Sequence, residues 1–282
     1  MSANGVSVIG GGTMGTGIAY VFSQAGAEVT VVEPDAARAV AMQASLGRAV
    51  ASGISRGKLD SGRGAALLDR IRRVSAIEEM PAGLALAIET VSERFELKCD
   101  VLRRIAARHP ALIATNTSAL SIDRLAVAVS DPARFLGMHF FNPVWSIRLV
   151  EIVRGAATSA EALQQARDFA ARIGKESLVV RDVPGFATSR LDLAASLEAM
   201  RMLESGVASA EDIDRAATLA YHHPVGPLRL SDIVGLDVRL DIARTLEQTH
   251  GSRFAPPAIL IGKVARGELG QKSGQGFFSW ND

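Results

Sequence analysis

The chain of 282 residues contains a single cysteine, Cys99. An internal disulfide is therefore impossible, a cysteine-based metal site has too few ligands, and a reducing compartment is expected. Charge of one sign is also missing. Lys and Arg number 31 against 30 Asp and Glu, for a net charge of +1, and no block of either sign stands out. Nothing marks a nucleic-acid track or a membrane surface. No apolar run reaches the roughly 20 residues that a bilayer requires. The first residues, Met1 to Gly5, lack the basic region and apolar core of a secretory signal. Internal repeats and low-complexity linkers are absent. These gaps lead to the expectation of a cytoplasmic protein with no metal, no nucleic-acid partner and no membrane partner.

What is present is core-forming material. Hydrophobic residues make up 48% of the chain, which is enough for a substantial core and argues against disorder. The length allows one large domain or two moderate ones. Over the first part, strand-like and helix-like segments alternate. Strand-like runs are 6–9, 27–33, 84–91, 111–117, 134–141, 148–153 and 177–182. Helical spacing occupies 15–25, a stretch to about Gly53, another around 63–73, and 95–107. Such alternation predicts an α/β fold with a Rossmann-type doubly wound parallel sheet covered on both faces. After "DVPGF" (182–186) the character changes to helical spacing, notably over 210–220 and 232–246, separated by "HHPVGP" at 222–227. The reading divides the chain into residues 1–185, α/β, and 186–282, mainly helical.

Directly after the first run, "VSVIGGGTMG" supplies G-x-G-x-x-G at Gly10, Gly12 and Gly15, with Thr13 and Met14 completing the loop. Following a strand and opening a helix, this is a dinucleotide-binding pattern. Gly10 permits the tight turn, Gly12 a close backbone approach to a pyrophosphate, and Gly15 close packing of the helix. The helix N-terminus offers N–H groups and partial positive charge to phosphates. Glu33 ends the second strand, eighteen positions after Gly15. A carboxylate there accepts hydrogen bonds from ribose hydroxyls and repels a 2′-phosphate, so NAD is expected over NADP; Arg38, five residues later, opposes that preference.

Polar residues gather after the later strands: Asn116, Thr117 and Ser118, then His139 and Asn142, then Glu151. Ligands of open α/β sheets sit outside the carboxyl ends of the strands. Hydride transfer from an alcohol needs a base for the hydroxyl proton, and imidazole suits it because its unperturbed pKa is near neutrality. Glu151 on the other ring nitrogen would fix the tautomer, and Ser118 would stabilise charge on the substrate oxygen. From spacing alone, His139 reads equally as a satisfied core histidine and Glu151 as a solvated carboxylate. Glu93 and Lys98 read as an ordinary solvated face.

The ordered motifs "GGGTMGTGIA", "TNTSALSI", "GMHFFNPV", "LVEIV", "DVPGF", "EDIDRA", "HPVGPLRLSDIVGLD" and "GQKSGQGFFSW" resemble the 3-hydroxyacyl-CoA dehydrogenases of fatty-acid metabolism, over nearly the whole length. The resemblance implies reversible NAD-dependent oxidation of an (S)-3-hydroxyacyl-CoA. It makes His139 the base, Glu151 its partner, and Ser118 a substrate and cofactor contact. Gly10, Gly12, Thr13, Met14, Gly15, Glu33, Glu93, Lys98, Asn116, Asn142 and Lys272 become cofactor contacts. The helical half would close over the acyl chain and form a homodimer. Arg56 and Lys58, on a helical arm between the second and third strands, match residues that hold the CoA nucleotide, or form a solvated basic turn.

Two departures stand out. The family asparagine after P-G-F-x-x is Ser189, and the usual F-N-P-V-P reads "FNPVW", with Trp145 and Ser146 near the expected acyl pocket. They imply an unusual acyl group, branched, cyclic or aromatic, or weakened catalysis. Three rival readings remain. A 3-hydroxyisobutyrate-type dehydrogenase would use a lysine base in the helical domain. A sugar-acid dehydrogenase related to lens crystallins would ignore CoA. A weakly active NAD-binding structural protein would not need the dyad.

Overall fold

A computed structural model of the chain describes residues 5–280. Met1–Asn4, most of the stretch read for a signal segment, and the last two residues lie outside the described residues. The described residues divide into two compact units, one running up to Asp182 and one starting at Val183.

The first unit is built on eight strands: β1 (Gly5–Ile9), β2 (Glu28–Val32), β3 (Ile71–Val74), β4 (Leu86–Glu89), β5 (Ile113–Thr115), β6 (Phe135–Phe140), β7 (Leu149–Arg154) and β8 (Glu176–Arg181). Their order is β3-β2-β1-β4-β5-β6-β7-β8. The order reverses between β1 and β4, and that switch point opens a crevice beyond the strand ends. All residues of β1, β4, β5 and β6 are buried, as expected for strands covered on both faces. Val8, Val31, Ile88, Leu136 and Met138 join Ile18 and Ala19 in one core. The helices are α1 (Thr13–Gln24), α2 (Ala36–Ser55), α3 (Ser61–Asp69), α4 (Phe95–Ala106), α5 (Ile122–Ala126) and α6 (Ala160–Arg172).

Three features depart from the sequence reading. The sheet is mixed: β1 to β6 are parallel, but β7 pairs antiparallel with β6, and β8 follows β7 in parallel. Direction within a sheet is a long-range property, and an apolar run carries no sign of it. The helical stretch expected to reach residue 73 stops at Asp69, and Ile71–Val74 is the edge strand β3. Its two arginines suit an edge and hide it from an apolar-run search. Helices α5 and α6 were not anticipated; each begins at a serine N-cap, Ser121 and Ser159, that accepts from a first-turn N–H.

The second unit contains α7 (Thr188–Glu204), α8 (Ala210–Ala220), α9 (Pro227–Val234), α10 (Leu236–His250) and α11 (Ala258–Ala265). Its own core includes Leu193, Leu197, Met200, Leu240, Ala243 and Leu260. The helix read over 232–246 is two helices, because Gly235 between them has φ 105°, a conformation that ends α9. The final motif is held by one acid. Asp232, fully buried, accepts hydrogen bonds from the Phe277 and Phe278 amides and from Trp280 Nε1, each at 2.9 Å. Among the described residues, no helix is long and apolar enough to cross a membrane. No group of three or more His, Cys, Asp or Glu in the same residues could hold a metal ion.

Candidate active site

The glycine loop leaves β1 and enters α1 without a capping side chain, because the N-cap is Gly12. Helices α2 and α3, in contrast, are capped by Asp35 and Asp60. Gly10 has φ 113°, and a Cβ there would lie 2.9 Å from Thr90 Oγ1. A Cβ on Gly12 would meet nothing within 4 Å, so the loop backbone is open to close approach. A Cβ on Gly15 would lie 1.9 Å from the Gly10 carbonyl oxygen. That glycine is required by the loop itself rather than by the sheet. Thr13 is exposed, and Met14 packs partly onto the core.

Glu33 is buried at the end of β2. Its carboxylate accepts from the Gly11 amide and from the Asp35 amide, each at 2.9 Å, and from Arg38 Nε at 3.3 Å. The acid thus fastens the glycine loop to β2 while lining, with Gly10, Gly12, Arg38, Thr90 and Val91, a cavity of about 350 Å³. These features fit a dinucleotide: a side-chain-free loop over a helix N-terminus, and a carboxylate with accepting capacity left for ribose hydroxyls. Arg38, the residue that opposed NAD, is tied to Glu33 and Asp35.

Beyond β4 and β5 lies a charge network. Lys98 is fully buried and donates to both Glu89 oxygens, at 2.8 and 3.0 Å. Glu93 lies 3.3 Å from the same ammonium. Glu93 Oε1 accepts from the Thr117 hydroxyl at 2.5 Å and from the Ser118 and Ala119 amides at 3.0 and 3.1 Å. Burial pushes the Glu93 carboxyl up, but the Lys98 charge and these hydrogen bonds outweigh it and hold its pKa below the usual range. Neither Lys98 nor Glu93 is the plain solvated face their spacing allowed. Glu93 sets the turn that presents Ser118, which is exposed. The Asn116 amide oxygen accepts from the Phe140 amide at 2.8 Å, linking this turn to β6.

His139 lies within β6, one residue before its end, and Glu151 stands opposite it in the β6–β7 register. Nδ1 and Glu151 Oε2 are 2.9 Å apart, with the His139 side chain 9% exposed and that of Glu151 0%. The Phe141 ring lies 4.4 Å from the imidazole. An imidazole oriented by a buried carboxylate can take up a proton and carry the resulting charge. Asn142 is exposed just past β6. Lys272 and Ser189 belong to the second unit. Lys272 pairs with Asp237 at 2.5 Å. Ser189 lies half-buried in the first turn of α7.

A second hollow in the first unit, also about 350 Å³, is walled by Tyr20, Arg48, Ser52, Arg56, Lys58 and Trp145. The Trp145 ring meets Tyr20 edge-on, 5.7 Å between centroids. Arg56 and Lys58, read as CoA-nucleotide contacts or a solvated basic turn, both line it, as does Trp145, which was expected near the acyl pocket; Arg48 and Tyr20 were not singled out. Arg48 and Ser52 on α2 and Arg56 at its C-cap follow at intervals of four, a one-face spacing visible in the sequence. Glu89 was also missed; an acid inside an apolar strand was its signal.

Comparison with known proteins gives one family. The model described as 3-hydroxyacyl-CoA dehydrogenase, NAD binding domain, matches residues 5–183, and that of the family's C-terminal domain matches 185–280. A 3-hydroxybutyryl-CoA dehydrogenase of Mycobacterium tuberculosis is 37% identical over 280 residues, 98% of either chain. A 3-hydroxyadipyl-CoA dehydrogenase of Escherichia coli is 36% identical over 98% of this chain and 58% of that protein. The crystal structure of (S)-3-hydroxybutyryl-CoA dehydrogenase from Ralstonia eutropha superimposes with a TM-score of 0.95 at 33% identity, covering 100% of both chains.

Proposed function

The chain belongs to the 3-hydroxyacyl-CoA dehydrogenase family, whose members are NAD-dependent oxidoreductases, and from that premise we propose that it interconverts an (S)-3-hydroxyacyl-CoA and the 3-oxoacyl-CoA with His139 as the base. The observation that carries this is the 2.9 Å contact of His139 Nδ1 with buried Glu151. The carboxylate accepts from Nδ1–H and so fixes the tautomer in which Nε2 takes the 3-hydroxyl proton. As the proton arrives, Glu151 stabilises the imidazolium. The Ser118 hydroxyl donates to the substrate oxygen as charge develops there. The glycine loop and Glu33 would hold NAD, which would supply the acceptor for the hydride on C3. In the reverse direction His139 returns the proton to the 3-oxo oxygen. Glu93, Asn116 and Asn142 orient this end of the site, and Lys98 acts through Glu93.

The first unit serves NAD binding and the second substrate binding and pairing of two copies. Leu191, Leu219 and Tyr221 in the second unit are about seven-tenths exposed, and such apolar surface suits a homodimer. Static light scattering tests it. The buried, reduced Cys99 fits a cytoplasmic enzyme.

The acyl group is not a plain short chain in this reading, because Ser189 offers one hydroxyl where the family has an amide. The deciding assay is NADH oxidation with acetoacetyl-CoA and with branched, cyclic and aromatic 3-oxoacyl-CoAs, for the chain and for Ser189→Asn. Turnover of no 3-oxoacyl-CoA sinks the activity. Best turnover of straight short chains, with a silent Ser189→Asn, sinks only the unusual acyl group.

A further inference from the structure

Residues 142–148, between β6 and β7, carry Asn142 at one end and Trp145 and Ser146 in the middle. Several contacts hold this turn to the rest of its unit. Val144 is buried on α1, where a Cβ on Gly17 would lie 2.7 Å from its Cγ2. The Pro143 carbonyl accepts from the Ser146 and Ile147 amides at 3.0 and 3.1 Å. Trp145 leans on Tyr20. The strongest tie comes from a distant residue. Lys175, between α6 and β8 and only 9% exposed, donates through Nζ to the Val144 carbonyl at 2.6 Å and to the Ile147 carbonyl at 2.5 Å.

This ammonium takes no part in the chemistry at His139. Burying it is unfavourable, and burial pushes the amine's pKa down. Its hydrogen-bond acceptors are two neutral carbonyls of a single turn. One cation with three donors can bind both carbonyls at once, and charge-assisted bonds are stronger than those of an amide donor. The turn so fixed forms one wall of the hollow that also holds Arg48, Arg56 and Lys58. Those three cations are exposed and form no ion pair among the described residues.

We propose that Lys175 is a positioning residue for the CoA thioester: by holding the Val144 and Ile147 carbonyls it sets Trp145 and Ser146 against the basic hollow, and so governs acyl-CoA affinity. It rests on the reading that this hollow receives the CoA nucleotide. An indole over a purine face, flanked by guanidinium groups for phosphates, is the chemistry such a wall offers.

The test compares Lys175→Met with Lys175→Arg. Lys175→Met raises KM for acetoacetyl-CoA about ten-fold or more, leaves KM for NADH unchanged, and changes kcat by less than about two-fold. Lys175→Arg restores most of the KM. In ligand-free protein, the part of the fluorescence that Trp145→Phe abolishes shifts to the red in Lys175→Met. Calorimetry with coenzyme A alone shows the same loss of affinity. An unchanged KM with unchanged emission overturns the proposal. So does a fall in kcat with both KM values moving together, the mark of a merely structural lysine. If Lys175→Met does not fold, Gly17→Ala displaces Val144 from the other side with the lysine intact; the same KM split is required of it, and its absence overturns the proposal. A wild type inert to every 3-oxoacyl-CoA defeats the activity reading instead, and Trp145 emission with coenzyme A binding still decides the anchor.

Discussion

His139 and Glu151 face each other in register across the antiparallel pair β6–β7, twelve residues apart in the chain and 2.9 Å apart at Nδ1 and Oε2. Side chains opposite one another on adjacent strands share one face of the sheet. The strand reversal is thus what builds the dyad; a parallel β7 in the same place would put different residues opposite the histidine. Replacing His139 with Gln lowers kcat about a hundred- to ten-thousand-fold, with NADH affinity retained in a fluorescence titration. Glu151→Gln can donate to Nδ1 and stabilise the wrong tautomer, and it lowers kcat about a hundred-fold or more. Near-normal steady-state rates for either variant would remove the pair from the chemistry.

Gly15 has no room for a methyl group, since its Cβ would stand 1.9 Å from the Gly10 oxygen. Gly15→Ala must displace the loop. It weakens NADH binding about ten-fold or more and lowers stability by about 1–3 kcal/mol. Titration and urea unfolding read the two effects separately.

Glu33 keeps Arg38 engaged at 3.3 Å. Glu33→Ser removes the carboxylate proposed to accept from the ribose and leaves Arg38 only its longer, 3.8 Å contact with Asp35, which loosens the guanidinium for a 2′-phosphate. The ratio of kcat/KM for NADPH over NADH rises about ten-fold or more. An unchanged ratio means that the cofactor ribose lies elsewhere.

Glu93 has a pKa held below its ordinary value of 4.5. A depressed carboxylate contributes stability that is fully present above 4.5 and lost as pH falls through the folded-state value. Glu93→Gln is therefore less stable at neutral pH, by about 1 kcal/mol given its partial exposure. The gap to wild type closes as the pH drops below 4.5. Denaturant melts at several pH values check this, and a gap that widens in acid contradicts it.

Asp232 satisfies three N–H groups of the C-terminal motif. Asp232→Ala leaves the buried Phe278 amide and the half-buried Phe277 and Trp280 donors without this acceptor and costs the second unit about 3 kcal/mol. Unfolding followed by Trp280 fluorescence measures it; a loss near zero would show that water replaces the carboxylate.

Local chemistry wrote much of this protein into its sequence. The glycine loop, Glu33 and the alternation of apolar runs with helical spacing announce a dinucleotide fold, because turn geometry and periodicity are properties of neighbouring residues. The Gly235 break in a helical pattern and the serine caps of α5 and α6 were equally local. Long-range relationships decided the rest. The direction of β7 and the edge strand β3 depend on which strand lies alongside. Lys98 looked like a surface lysine until the fold buried it against Glu89, and Lys175 gave no sign that it would reach back to Val144. Spacing left His139 divided between a base and a core residue; only a partner brought across the sheet supplied the buried carboxylate, because hydrogen bonds form between atoms that folding places together.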